Sequence, residues 1–262
     1  MDLIYWIIIF SLLGGVLSVL AASVFLLIPE PYRSRILPHS VSFAIGALLG
    51  AAFLALLPHA ITGPNRVEVH DLGLTVLLGM LTFFILEKMV IWRHCHTTHC
   101  EAHTPHDHHS DHNHKAAGSM ILIGDGLHNL VDGVLIAAAF MTDIHLGVVT
   151  SLAVATHEIP QEVGDFAVLL NNGFSRSRAL LYNILVSLTT VVGALLAYYS
   201  LSGMNQILPY ILAVAAASFI YVAVADLIPG LHKRTQLSAT VQQVVLIIAG
   251  VLVIYLAHST LH

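Results

Sequence analysis

Apolar residues fill this chain in long blocks separated by short polar connections. Eight blocks are about as long as the roughly 20 residues needed to cross a hydrocarbon core of about 30 Å: 3–28, 41–60, 72–92, 118–140, 146–170, 179–201, 206–231 and 241–260. They predict an all-α fold, a polytopic membrane helix bundle of eight transmembrane helices forming one domain over residues 1–262. The first block has no basic residue before it and is too long for a signal-peptide core, so it is expected to stay as a helix.

Only one connection is long and polar. Residues 93–117 read RHCHTTHCEAHTPHDHHSDHNHKAA, with histidines at His94, His96, His99, His103, His106, His108, His109, His112 and His114. Such a tract suits loose capture of a borderline-soft cation, and its irregular spacing defines no single rigid site. It reads as a metal sponge or sensor, or more plainly as a solvated linker of biased composition.

Composition agrees with the blocks. The chain is 57% hydrophobic and 10% charged, against roughly 25% charged in a soluble domain. The net charge of −5 comes with no basic patch and no aromatic platform, which excludes a nucleic-acid partner. Arg33, Arg35, Lys88, Arg93, Lys115, Arg176, Arg178, Lys233 and Arg234 cluster at alternate connections, and Arg66 alone falls on the other side. The positive-inside rule then places both termini outside or in a lumen and the histidine-rich loop in the cytoplasm. Cys95 and Cys100 lie in that loop and are expected as free thiols.

Two blocks break the apolar rule. Block 4 carries Asp125, His128, Asn129 and Asp132, spaced i, i+3, i+4 and i+7 on one helical face. Block 5 carries His157, Glu158, Gln161, Glu162 and Asp165 in a similar stripe. Each ionised carboxylate at mid-bilayer costs about 2.5–3.5 kcal/mol, so five of them rival a domain's whole stability of about 5–15 kcal/mol. Every lysine and arginine lies in a connection or, for Lys88, at a helix end, so none neutralises them; the positive charge must come from protons, water access or a metal cation. The i, i+4 pairs His128 with Asp132 and His157 with Gln161, each about 6 Å apart along its helix, make a four-ligand N/O set for a divalent transition metal. Asn129 and Glu158 beside it would orient that set or hold a second ion.

Pro160 is expected to kink block 5 next to the cluster. Asp226, late in block 7, reads either as a gate or exit ligand or as a solvated helix-terminal acid. His59, at the outer end of block 2, is a candidate ligand on the uptake side. Blocks 2 and 7 end alike, LLPHA at 56–60 and LIPGL at 227–231, which hints at an internal repeat.

The eight-span plan, the histidine-rich loop, HNLVDG at 128–133 and HEIPQEVGDFAVLL at 157–170 together resemble the ZIP (Zrt/Irt-like) metal-ion transporters, and among them the LIV-1 subgroup. The resemblance implies movement of zinc, and in some members Fe²⁺, Mn²⁺ or Cd²⁺, into the cytosol. It implies a transport site of His128, Asn129, Asp132, His157, Glu158, Gln161 and Glu162, with Asp125, Asp165, Asp226 and His59 as gate, exit or uptake-side candidates. Zinc would be cargo, with no resident cofactor and a lipid bilayer as surroundings; a homodimer is compatible with it.

Two departures stand out. Gln161 occupies a position where the LIV-1 pattern usually has histidine. Block 6 offers only Asn183, Ser187 and Thr190 where some branches place a glutamate, which favours one ion over two. His157, where manganese- and iron-accepting members have glutamate, tilts the choice to zinc. The rivals are an intramembrane zinc hydrolase, disfavoured because Gln161 replaces the second histidine of HExxH, and a metal sensor acting through the loop. The short length and lack of an extracellular domain favour a bacterial inner membrane over an organelle membrane.

Overall fold

The computed structural model describes residues 2–63, 67–95, 111–232 and 236–261, and every regular element among them is helical. Eight long helices follow in order: α1 Leu3–Phe25, α2 Glu30–Thr62, α3 Val69–Cys95, α4 Asp111–Thr142, α5 Ile144–Asn171, α6 Arg176–Leu201, α7 Leu208–Leu231 and α8 Leu237–Leu261. Seven are long and apolar enough to cross a membrane. The exception is α5, whose polar stripe lowers its hydropathy. It is nonetheless central, packed against α1, α2, α4, α6 and α8, so its polar side chains face protein instead of lipid.

Local chemistry sets the ends. Asp143 caps α5 tightly against α4, its Oδ1 accepting from the backbone N–H of His145 at 2.8 Å and of Leu146 at 3.0 Å. Gly173 closes α5 with φ of 82°, and the N–H groups of Gly173 and Phe174 donate to the carbonyls of Leu170 and Leu169, a Schellman turn.

Helix α2 starts at Glu30, well before the expected residue 41. Pro29 and Pro31 look like breakers, yet prolines fit a helix's first turn because their missing N–H groups have no partner there in any case. Arg33 and Arg35 therefore ride on helix and not in a loop. Likewise α3 runs to Cys95 and α4 begins at Asp111, so helical backbone includes His94, His112 and His114. The loop histidines His96, His99, His103, His106, His108 and His109 lie outside the described residues.

α5 runs as one helix through Pro160, packed against α1, α2, α4, α6 and α8. The irregularities fall elsewhere. α1 is interrupted at Gly15, where a Cβ would lie 2.7 Å from the Ser187 carbonyl oxygen. α2 and α7 each contain a π-helical turn, Ala51–Leu56 and Val222–Leu227, directly before Pro58 and Pro229. In both, the next N–H reaches back five residues, Leu57 to Ala52 and Ile228 to Ala223. The wider turn lets the chain absorb a proline without leaving the helix. The likeness of LLPHA to LIPGL is thus a likeness of backbone.

Close backbone crossings bind the helices in pairs. A Cβ on Gly133 of α4 would lie 1.9 Å from the Thr190 carbonyl oxygen of α6, and one on Gly193 would lie 2.0 Å from that of Leu130. Gly46 of α2 and Gly250 of α8 pack in the same way against Ile247 and Phe43. Helices α1, α4, α5 and α6 pack mainly among themselves, as do α2, α3, α7 and α8, and α5 meets α2 and α8 across the seam. Rows of exposed leucine, isoleucine and valine on α3 and α8 form the lipid-facing rim.

Candidate metal centre

The two polar stripes meet at the seam. His128 and Asp132, one turn apart on α4, face His157 and Glu158 on α5. The Nε2 atoms of the two histidines are 3.2 Å apart. His128 Nε2 lies 3.8 Å from Asp132 Oδ2 and 3.4 Å from Glu158 Oε1, while His157 Nε2 lies 3.4 Å and 3.5 Å from the same two oxygens. A tetrahedral ion with N and O ligands at about 2.0–2.2 Å has ligand-to-ligand edges of about 3.3–3.6 Å. Four of these five separations fall within about 0.1 Å of that range, and the fifth is slightly longer.

The surroundings favour an ion. Asp132, His157 and Glu158 are buried, and among the described residues neither oxygen of Asp132 or Glu158 makes a hydrogen bond. Two buried carboxylates in this state are costly unless a cation accompanies them. His157 Nδ1 lies 3.1 Å from the Ala153 carbonyl, the usual second contact that fixes a ligating imidazole and turns Nε2 to the metal. The Phe219 ring of α7 closes one side, 6.2 Å from the His157 ring.

The remaining stripe residues play other parts in the geometry. Asn129 donates to Asp125 Oδ1 at 2.9 Å and accepts from the Thr190 hydroxyl at 2.7 Å, joining α4 to α6. Gln161 is not beside His157's Nε2; its amide donates towards Asp125 Oδ1 at 3.5 Å. Glu158 stands in the place the spacing assigned to Gln161. Asp125, Glu158 and Glu162 form a second group, with one oxygen from each within 4.8 Å of the others.

Asp125, His128 and Gln161 also line a cavity of about 500 Å³ that continues along Asp165 and Asp226. Glu87 of α3 and Tyr221 of α7 complete its wall, with the Tyr221 hydroxyl donating to Glu87. The sequence reading missed both. Glu87 had one signal, an acid inside an apolar block. His59 lies apart from all of these, its ring against His258 of α8.

Comparison with known proteins agrees with this chemistry. The family described as ZIP Zinc transporter matches residues 91–258. The chain is 32% identical over 228 residues to Zinc transporter ZIP13 of Pongo abelii, covering 82% of this chain and 65% of that protein. It is 30% identical over 275 residues to Zinc transporter ZIP13 of Gallus gallus, covering 86% and 75%. Against Zinc transporter ZIP10 of Danio rerio it is 40% identical over 131 residues, 47% of this chain and 16% of that protein.

Proposed function

Because the chain belongs to the ZIP zinc transporter family, we propose that it carries Zn²⁺ across a membrane through His128, Asp132, His157 and Glu158, the ion being cargo and not a resident cofactor. One observation carries the reading: four ligand atoms from two helices stand close to the edge lengths of a tetrahedral zinc site, and among the described residues no lysine or arginine pairs with them. Two imidazoles and two carboxylates suit zinc, and the carboxylates leave Fe²⁺, Mn²⁺ and Cd²⁺ as competitors. The family is one of transporters, not of enzymes, and no hydrolytic step enters the proposal.

All four ligands belong to the set α1, α4, α5 and α6 and sit against Phe219 of α7 in the other set, which supports an alternating-access motion of the first set against the rest. The acid-lined cavity that reaches His128 is the proposed way out, past Asp165 and Asp226. It runs towards the end of the bundle where α3 ends and α4 begins, the side to which the positive-inside rule assigns the cytosol, so release is directed there and both termini lie on the opposite side. The histidine-rich segment would receive the ion there. The relatives named above are vertebrate and give no support to a bacterial inner membrane; the chain is a multi-pass membrane protein. A homodimer forms no part of the proposal.

Liposomes loaded with a zinc-sensitive dye test the reading. Wild type should give saturable zinc entry, a 94–114 deletion should retain it, and His128→Ala should lose it while remaining folded. Normal entry through His128→Ala would refute the assignment.

A further inference from the structure

We infer that Asp125, Glu158 and Glu162 form a second, all-oxygen cation site beside the central one, which takes a hard divalent cation such as Mn²⁺. Asp125 stands a turn before His128 on α4, and Glu162 a turn after Glu158 on α5. One oxygen from each of the three carboxylates lies within 4.8 Å of the other two. Oxygens on opposite sides of a cation with bonds of about 2.3–2.6 Å stand about 4.6–5.2 Å apart, so one ion can reach all three.

The acids have no other partner for their charge. Asp125 is 5% exposed, Glu158 1% and Glu162 0%. Among the described residues, Asp125 Oδ2 and both oxygens of Glu158 and of Glu162 make no hydrogen bond. Asp125 Oδ1 differs: it accepts from the Asn129 amide at 2.9 Å and faces the Gln161 amide at 3.5 Å. Those two amides hold the carboxylate in place and leave Oδ2 for a ligand. Buried carboxylates in this state are costly without a cation. A zinc ion between the imidazoles balances Asp132 and Glu158; Asp125 and Glu162 then leave two negative charges, which one further divalent cation supplies.

Donor type separates the two sites. Two imidazoles make the central set suit zinc, whereas carboxylates alone suit Mg²⁺, Ca²⁺ and Mn²⁺. Glu158 belongs to both sites, its Oε1 facing the imidazoles and its other oxygen remaining to be shared. α6 brings no acid to the centre, which favours a single ion among its neighbours; the second position draws on α4 and α5 instead. Asp125 lines the cavity that continues along Asp165 and Asp226, so ions reach the site from that side. A cation there would draw charge from Glu158 and set how tightly zinc is held. That use rests on the transport reading; the binding of a hard cation does not.

Mn²⁺ titration of the purified full-length protein, followed by electron paramagnetic resonance, tests the site. The His157→Ala protein, its central site weakened, should still bind Mn²⁺, and Mn²⁺ should raise its melting temperature. Adding Glu162→Gln or Asp125→Asn should weaken that binding by at least about tenfold, the least that losing even a residue supporting a ligand costs, and remove the thermal shift. Both changes keep the side chain's shape and remove a buried charge, so the metal-free variants should stay folded, as their melting checks. Histidines of the polar loop are common to every variant and cancel in the comparison. Mn²⁺ binding unchanged by both substitutions would overturn the proposal and leave protons to balance the acids. Loss of all Mn²⁺ binding in His157→Ala alone would overturn it as well, since the cation would then sit on the imidazoles. The readout is binding, so an absence of zinc transport leaves it interpretable.

Discussion

His128 Nε2 and His157 Nε2 stand 3.2 Å apart, one on α4 and one on α5. Two imidazole nitrogens meet at this distance when one donates to the other or when both face a shared cation. The carboxylates of Asp132 and Glu158 beside them favour the cation. Removing either imidazole takes away a proposed ligand and leaves the glycine crossings at Gly133 and Gly193 in place. His128→Ala and His157→Ala should each lose saturable zinc uptake and keep the wild-type melting temperature, as uptake and thermal unfolding of the same preparations would show.

Glu158 and Gln161 separate two readings of the centre. Glu158→Gln should lower zinc affinity more than Gln161→Ala, since the Gln161 amide faces Asp125 and not the two imidazoles. Competition with a zinc chelator measures both; the reverse order would move the fourth ligand to Gln161.

Thr190 and Asn129 position the stripe. Thr190→Val leaves the buried Asn129 oxygen without its donor, at a cost of about 1–3 kcal/mol. The variant should unfold at lower temperature while zinc uptake persists. Unchanged stability would show that this link between α4 and α6 is not used.

Gly133 and Gly193 have no room for a side chain. Gly133→Ala would drive a methyl group into the Thr190 carbonyl and should destabilise the bundle by about 1–3 kcal/mol. Thermal unfolding of Gly133→Ala beside Gly73→Ala, where a Cβ meets nothing within 4 Å, checks the difference.

Much of this was legible in the sequence. Eight apolar blocks gave eight helices, and the i, i+3, i+4 spacing of Asp125, His128, Asn129 and Asp132 put them on one face of α4. The partner of His157 was less legible. Spacing alone pairs His157 with Gln161, but α5 runs antiparallel to α4, so a residue one turn later on α5 sits beside one a turn earlier on α4. That brings Gln161 to Asp125 and leaves Glu158 at the imidazoles. The π turns of α2 and α7 left only a trace, the shared leucine and proline of LLPHA and LIPGL, because a wider turn depends on backbone hydrogen bonds that composition does not reveal. Glu87 and Tyr221 meet only through the packing of α3 on α7.

Acid should compete with zinc. Both imidazoles bind metal only when deprotonated, and free histidine changes charge near pH 6.5. Uptake should therefore fall as the medium goes from about pH 8 to about pH 5. A flat rate over that range would argue against histidine ligation.

The most direct measurement is an anomalous difference map from zinc-loaded crystals, recorded at the zinc absorption edge. A peak is expected about 2.0–2.2 Å from His128 Nε2, His157 Nε2, Asp132 Oδ2 and Glu158 Oε1. A peak among Asp125, Glu158 and Glu162 alone, or no peak between α4 and α5, would contradict it.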